Sequence, residues 1–326
     1  MHRSTLHPSA GRAAARLLFL LTLTGFAHAE DPLNTVPGRL IDVGGHRLHI
    51  DCKGDRAPTV VIEAGLAGFS LEWRDVQSRV AEDLRVCIYD RAGYGWSERG
   101  PEPRTAARIA EELAMLLRGA GERPPYVLVG HSFGGYVIRR YAERHPEQIH
   151  GLVFVDASQP DQHSLLPLSL PRGHRVQSGM RPHARLSATP RLPEGYPEAL
   201  ATTAMRLMMK PGARQTQWSE LRHFAESAAA LGPPARMPRV PIIVLSRAVP
   251  TAIDSAARRD DQVWAELQAA FARQTTGGSH FVVSDAGHHI HLERPDRVAE
   301  AIRGVVVAAR FASATGEARP LQASLR

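Results

Sequence analysis

A serine flanked by small residues is the first place to look for chemistry in this chain. Gly130-His131-Ser132-Phe133-Gly134 lies between an apolar run and a helical pattern. In that setting the serine sits on a sharp, strained turn, and Gly130 and Gly134 let strand and helix approach without a clash. A serine hydroxyl is a poor nucleophile near neutrality and needs a base. Asp285-Ala286-Gly287-His288 supplies an imidazole directly after a later strand-like run, with His289 and His291 as rivals. An imidazole with an unperturbed pKa of ~6.5 can take the hydroxyl proton and return it to a leaving group. Gly287 provides the turn, so His288 is the expected base. A carboxylate should fix the imidazole tautomer. Asp156 follows the run Gly151 to Val155, whereas Asp254, Asp260 and Asp261 follow Pro241 to Leu245, and all four satisfy the chain order Ser, Asp, His. Asp156 is preferred because a strand end positions a side chain better than a loop. The tetrahedral intermediate would need amide donors, each worth ~3 kcal/mol; Phe133 N–H and Leu66 N–H are the candidates, with Gly68 able to widen the loop that carries Leu66.

These groups require strands that end at one edge. Thr59 to Glu63, Arg85 to Tyr89, Tyr126 to Val129, Gly151 to Val155 and Pro241 to Leu245 are short, nearly continuous apolar runs, as parallel strands covered on both faces require. Arg39 to Val43 and Arg47 to Asp51 flank Gly44-Gly45, a hairpin signal. Helical spacing from Thr105 to Ala120 and from Phe133 to His145 alternates with the strands; further helices are expected over Gln262 to Arg273 and Asp296 to Phe311, around a last strand, His280 to Ser284. The fold class is therefore α/β, a mostly parallel sheet with helices on both faces. Residues 158–238 break this rhythm with many Pro, Arg and His residues, and Pro197 to Met209 is the clearest helical stretch among them. They read as a mainly helical cap inserted into a core of residues 30–157 and 239–312, with 313–326 a frayed tail.

The composition, 43% apolar and 22% charged over 326 residues, is that of a globular chain. The net charge of +7 comes from scattered arginines without a basic block, which argues against a nucleic-acid partner. Arg3, Arg12 and Arg16 precede the apolar run Leu17 to Phe26 and Ala27-His28-Ala29, the order of a secretory signal peptide over residues 1–29. The run is too short to span a bilayer, which takes ~20 apolar residues. Export with cleavage after Ala29 and no lasting membrane anchor is expected. Cys52 and Cys87 read either as two small buried side chains or as a disulfide, and neither belongs to a zinc-type cluster.

Taken together, the chain resembles the α/β-hydrolase superfamily over nearly the whole length after residue 29. Glu63-Ala64-Gly65-Leu66 matches the family's oxyanion loop, Tyr89-Asp90-Arg91-Ala92-Gly93-Tyr94-Gly95-Trp96-Ser97 its D-x-x-G-x-G-x-S loop, and Gly287-His288 with Glu293 and Pro295 its histidine segment. The residue spacing offers no metal site, and the resemblance implies an eight-stranded sheet, a cap after the sixth strand and no cofactor. It also implies that the second and fourth strands run side by side, which would bring Cys52 and Cys87 together as a disulfide. Two departures stand out. Ala64 occupies the usual place of a histidine, and Leu245-Ser246-Arg247-Ala248 lacks the expected Gly-x-x-Asp, which again turns attention to Asp156. The expected activity is hydrolysis of a carboxylic ester, lactone or thioester by Ser132, His288 and Asp156 through an acyl-enzyme. The alternatives are a ligand-binding protein on the same fold, or a carbon-carbon bond hydrolase or lyase with the same triad. Arg172, Arg175, Arg181 and Arg185 in the cap are candidates to attract an anionic substrate.

Overall fold

The computed structural model describes residues 36–166, 191–249 and 255–315. Eight strands form one sheet: β1 (Arg39–Asp42), β2 (Arg47–Lys53), β3 (Thr59–Glu63), β4 (Arg85–Tyr89), β5 (Tyr126–His131), β6 (Ile149–Val155), β7 (Ile242–Arg247) and β8 (Gly278–Val283). Their spatial order is β1-β2-β4-β3-β5-β6-β7-β8. β1, β2 and β4 pair antiparallel, and every other pairing is parallel.

The apolar runs become buried central strands because helices cover both faces. On one face Ile109, Leu113 and Leu116 of Ala106–Ala120, Tyr136 and Val137 of Gly134–Arg144, and Phe271 of Ser255–Gln274 pack on Val61, Leu128, Leu152 and Val244. On the other, Val76 and Val80 of Arg74–Val80 and Val298, Ile302 and Val305 of Pro295–Thr315 pack on Val60, Ile62, Val127, Val129 and Val153. Each aliphatic side chain so buried contributes about 1.5–3 kcal/mol. The helix Ala106–Ala120 begins where Thr105 accepts a hydrogen bond from Arg108 N at 3.3 Å, and it ends at Gly121, whose φ of 77° few other residues adopt at no cost.

Several boundaries differ from the sequence reading, and two of them bear on the site. β7 continues to Arg247 because β8 supplies a partner for it, Val283 opposite Arg247. The following helix begins at Ser255, so Asp260 and Asp261 lie on a helix and not in a loop. The last helix runs past Ala312 to Thr315. Between β6 and β7 the chain forms the helices Gln162–Leu165, Glu198–Met208, Pro211–Arg222 and Phe224–Ala229. Arg172, Arg175, Arg181, Arg185 and Asp254 lie outside the described residues, as do residues 1–29. Cys52 and Cys87 face one another across β2 and β4 and are joined as a disulfide. Among the described residues no helix is long and apolar enough to cross a membrane.

Candidate active site

β5 and β6 lie side by side with His131 opposite Val155, so the next residues, Ser132 and Asp156, leave the sheet at adjoining strand ends. Both have left-handed backbones, with φ of 49° and 42°, unusual values for residues other than glycine. Ser132 N donates to Val155 O at 3.3 Å, and Ser158 N donates to Ser132 O at 2.9 Å, which ties the turn after β5 to the end of β6. Gly134 is needed where it stands: a Cβ there would sit 2.6 Å from Ala64 O.

His288 arrives on the loop after β8, and its Nδ1 lies 2.6 Å from Asp156 Oδ2. The carboxylate also accepts from Trp264 Nε1 at 2.8 Å and from Arg247 N at 3.2 Å on Oδ1, and from Arg247 Nη1 on Oδ2. Burial opposes ionisation of Asp156, but Arg247 and the hydrogen bond from His288 outweigh it and hold the carboxyl down at about 2. Nδ1 therefore carries the proton donated to Asp156, which leaves Nε2 as the acceptor. A second contact fixes the loop, since His131 Nε2 lies 2.9 Å from the carbonyl oxygen of His288. Burial and the neighbouring histidines push the His131 pKa well below the usual range, so the neutral ring donates from Nε2. Among the described residues no hydrogen bond joins Ser132 Oγ to His288, whose ring lies 4.7 Å from that of His131. Such contacts commonly tighten only when substrate is bound.

The other candidates separate clearly. His291 is fully buried and stacks on Trp73 with ring centroids 4.2 Å apart, a packing role. His289 packs against the His131 ring at 5.6 Å. Asp261 bonds Arg247 Nη2 at 2.9 Å, and Asp260 sits half-buried beside it on the helix. Asp156 is thus the carboxylate that meets the imidazole. Arg247, Trp264 and His131 were not read from sequence as site residues. His131 fills a variable position of the serine motif, while Trp264 and Arg247 carry no local signal.

The loop after β3 lies against the serine: a Cβ on Gly65 would come within 2.7 Å of His131 Nδ1 and 3.3 Å of Ser132 Cβ. Arg91 pins this loop from behind. Its Nη1 donates to Glu63 Oε1 and Ala64 O, both at 2.7 Å, its Nη2 to Gly65 O at 2.7 Å, and its Nε and Nη2 to Glu220 at 2.8 and 3.2 Å. In a trans peptide the C=O and the next N–H point in opposite directions, so Leu66 N–H faces away from Arg91. Phe133 N–H opens the turn into the helix Gly134–Arg144, and the Arg91 guanidinium lies over the Phe133 ring, 5.8 Å from its centroid. Glu220 also accepts from Tyr94 OH at 2.9 Å, which docks the helix Pro211–Arg222 onto the loop after β4. That loop needs Gly93, since a Cβ there would lie 1.9 Å from Thr216 Oγ1.

Glu72, on the turn Ser70–Trp73, is a buried carboxyl facing the histidine cluster. His291 Nε2 is 3.7 Å away, beyond hydrogen-bond reach, and burial, reinforced by Asp90, raises the Glu72 pKa to about 8 against the pull of Arg91. Gly68 leaves room for it, because a Cβ there would sit 2.7 Å from Glu72 Oε2. A carboxyl whose folded pKa is raised holds its proton better in the folded than in the unfolded state. Its stabilising effect is complete below the unfolded value near 4.5 and is lost as pH rises to about 8. Glu72→Gln is therefore expected to match wild type at pH ~5 and to exceed it at pH ~9 by on the order of 3 kcal/mol. Thermal melts across that range check this; parallel curves for the two proteins would refute it.

Among the described residues, the one cluster of metal-type side chains is Cys52, Cys87 and Glu122, where both sulfurs are already bonded to each other.

A parallel sheet with its antiparallel entry, a strained serine between glycines after β5 and an Asp–His pair on the neighbouring loops define the α/β-hydrolase type of architecture. The alpha/beta hydrolase fold family model matches residues 58–295, and the chain belongs to that family. It is 26% identical over 257 residues to the uncharacterized protein YqjL of Bacillus subtilis, covering 79% of this chain and 87% of that one. It is 37% identical over 141 residues to the probable transporter efuK of Hormonema carpetanum, covering 41% of this chain and 20% of that one. The chain spans only 20% to 50% of the length of some of the curated relatives it matches. Among solved structures, a thermophilic esterase from Thermogutta terrifontis superposes with a TM-score of 0.56 at 19% identity, covering 83% of this chain and 98% of that one. The family model places the chain among the alpha/beta hydrolases, and the solved structure shares its fold.

Proposed function

We propose that the protein is an exported serine hydrolase that cleaves a carboxylic ester, with lactones and thioesters as close chemical relatives, through an acyl-enzyme. The observation that carries this reading is the Asp156–His288 hydrogen bond at the sheet edge where Ser132 leaves β5 on a strained turn. Ser132 Oγ attacks the substrate carbonyl while His288 Nε2 takes its proton. Asp156 steadies the resulting imidazolium. The oxyanion is met by Leu66 N–H and Phe133 N–H. Collapse of the tetrahedral intermediate expels the alcohol, which receives the proton from His288; water, deprotonated by the same imidazole, then releases the acid and restores Ser132. The helices Glu198–Met208, Pro211–Arg222 and Phe224–Ala229, inserted between β6 and β7, serve as the described part of a cap for the bound acyl and alcohol groups. Export is supported by the leader pattern of residues 1–29 and by the Cys52–Cys87 disulfide, a bond that persists in oxidising compartments.

A fluorophosphonate probe tests the reading. Covalent labelling of the wild-type protein and its loss in Ser132→Ala are expected. A wild-type protein that binds small esters yet takes no label would instead be a ligand-binding protein on a hydrolase fold.

A further inference from the structure

At the end of β7, where the family resemblance leads one to expect an acid, this chain places a cation that binds the acid of the neighbouring strand. Arg247 Nη1 and His288 Nδ1 both donate to Asp156 Oδ2, the latter at 2.6 Å. The guanidinium lies over the Trp264 ring, 5.0 Å from its centroid, and Trp264 Nε1 donates to the other oxygen of the same carboxylate. On its far side Arg247 Nη2 meets Asp261 Oδ1 at 2.9 Å. When His288 takes up a proton, the row His288, Asp156, Arg247, Asp261 alternates in charge, and the carboxylate that must steady the imidazolium is already half committed to Arg247.

We propose that Arg247 is a positioning residue that sets the pH at which His288 becomes competent as a base, and that Asp261 moderates it. The inference rests on the proposed serine-hydrolase reading of this site. A fixed positive charge beside the shared carboxylate competes with the imidazolium for it. The remaining groups around His288 come from every element packed on it. They are His131 at the end of β5, His289 on its own loop, Trp264 on the helix Ser255–Gln274, and, one layer further, His291 and Glu72. His280 of β8 bonds Ser246 Oγ at 2.8 Å, and Glu293 holds Gly287 N at 2.8 Å. Burial keeps His131 and His291 neutral, His291 down at about 3, which leaves Arg247 and Asp261 as the charges on the Asp156 side of the pair and Glu293 as the carboxylate behind the His288 loop.

The test compares Arg247→Met with Asp261→Asn. The pH profile of kcat/KM on p-nitrophenyl acetate is read beside a titration of the ¹⁵N-labelled His288 imidazole by NMR. Arg247→Met is expected to move the acid limb and the imidazole midpoint up by roughly one pH unit, and Asp261→Asn to move both down by about half a unit. A role in packing alone would not produce shifts of opposite sign. Asp261→Asn leaves the Arg247–Asp156 contact in place, so it carries the test alone if Arg247→Met does not fold. Shifts in the same direction, or midpoints unchanged in folded variants, would overturn the proposal. The NMR midpoint needs no turnover, so failure of the hydrolase reading, seen as a wild type that takes no fluorophosphonate, remains a separate result.

Discussion

Asp156→Asn is expected to lower kcat/KM for ester hydrolysis by about 10⁴-fold while the protein stays folded. Asparagine tolerates the left-handed backbone that position 156 adopts, φ 42°, so the substitution adds no strain of the kind alanine would bring. Its carbonyl oxygen can still accept from Arg247. Its amide, however, presents N–H groups to His288 Nδ1, and the imidazole then places its proton on Nε2, the atom that must accept the one from Ser132. Asp261→Asn, which removes a charge one contact further out, should cost less than about tenfold at the pH optimum. Steady-state kinetics with a chromogenic ester, alongside thermal melts, measures both variants. Near-normal turnover in Asp156→Asn with collapse in Asp261→Asn would assign the acid elsewhere.

The second large effect is on stability. Arg91 is buried, with all five of its guanidinium N–H groups engaged, two of them by Glu220. Removing Glu220 leaves Arg91 with Glu63 as its remaining carboxylate partner and two buried N–H groups without acceptors, and breaking such a buried pair typically costs about 3–5 kcal/mol. Glu220→Ala should therefore lower Tm by on the order of 10 °C. Glu220→Gln keeps an acceptor for Nε and should lose clearly less. Scanning calorimetry reads the difference, and an alanine variant that melts with wild type would show that the pair contributes nothing net. The loss should also reach catalysis, because the same guanidinium holds the carbonyl groups of Ala64 and Gly65 and so orients the Leu66 amide.

The central strands were legible because burial on both faces demands unbroken apolar runs, and the serine turn because few residues other than glycine fit beside it. The choice of Asp156 over its rivals followed from the same logic of strand ends. What sequence could not convey was pairing across long separations. The end of β7 is polar, Ser246-Arg247, and becomes strand only because β8 lies alongside. An arginine there reads as solvated until Asp156, 91 residues earlier, is seen to meet it. Glu220 lies 129 residues from Arg91 and sits in a helix whose charged surface gives no hint of a buried end. The run Arg258-Arg259-Asp260-Asp261 looked like a loop because it has no apolar periodicity; it is the polar opening of a helix whose buried side begins at Trp264.

The two hydrogen bonds that lash the backbone of Ser132 to Val155 O and Ser158 N make Ser132 and Asp156 parts of one stiff strut, anchored in the middle of the sheet. The imidazole is brought to them on a separate tether from β8, the strand at the sheet's margin, and side-chain contacts from His131, Asp156 and Glu293 hold that loop in place. Mild heat or denaturant should thus unhitch His288 first, and turnover should fade while the sheet that carries the serine is still whole.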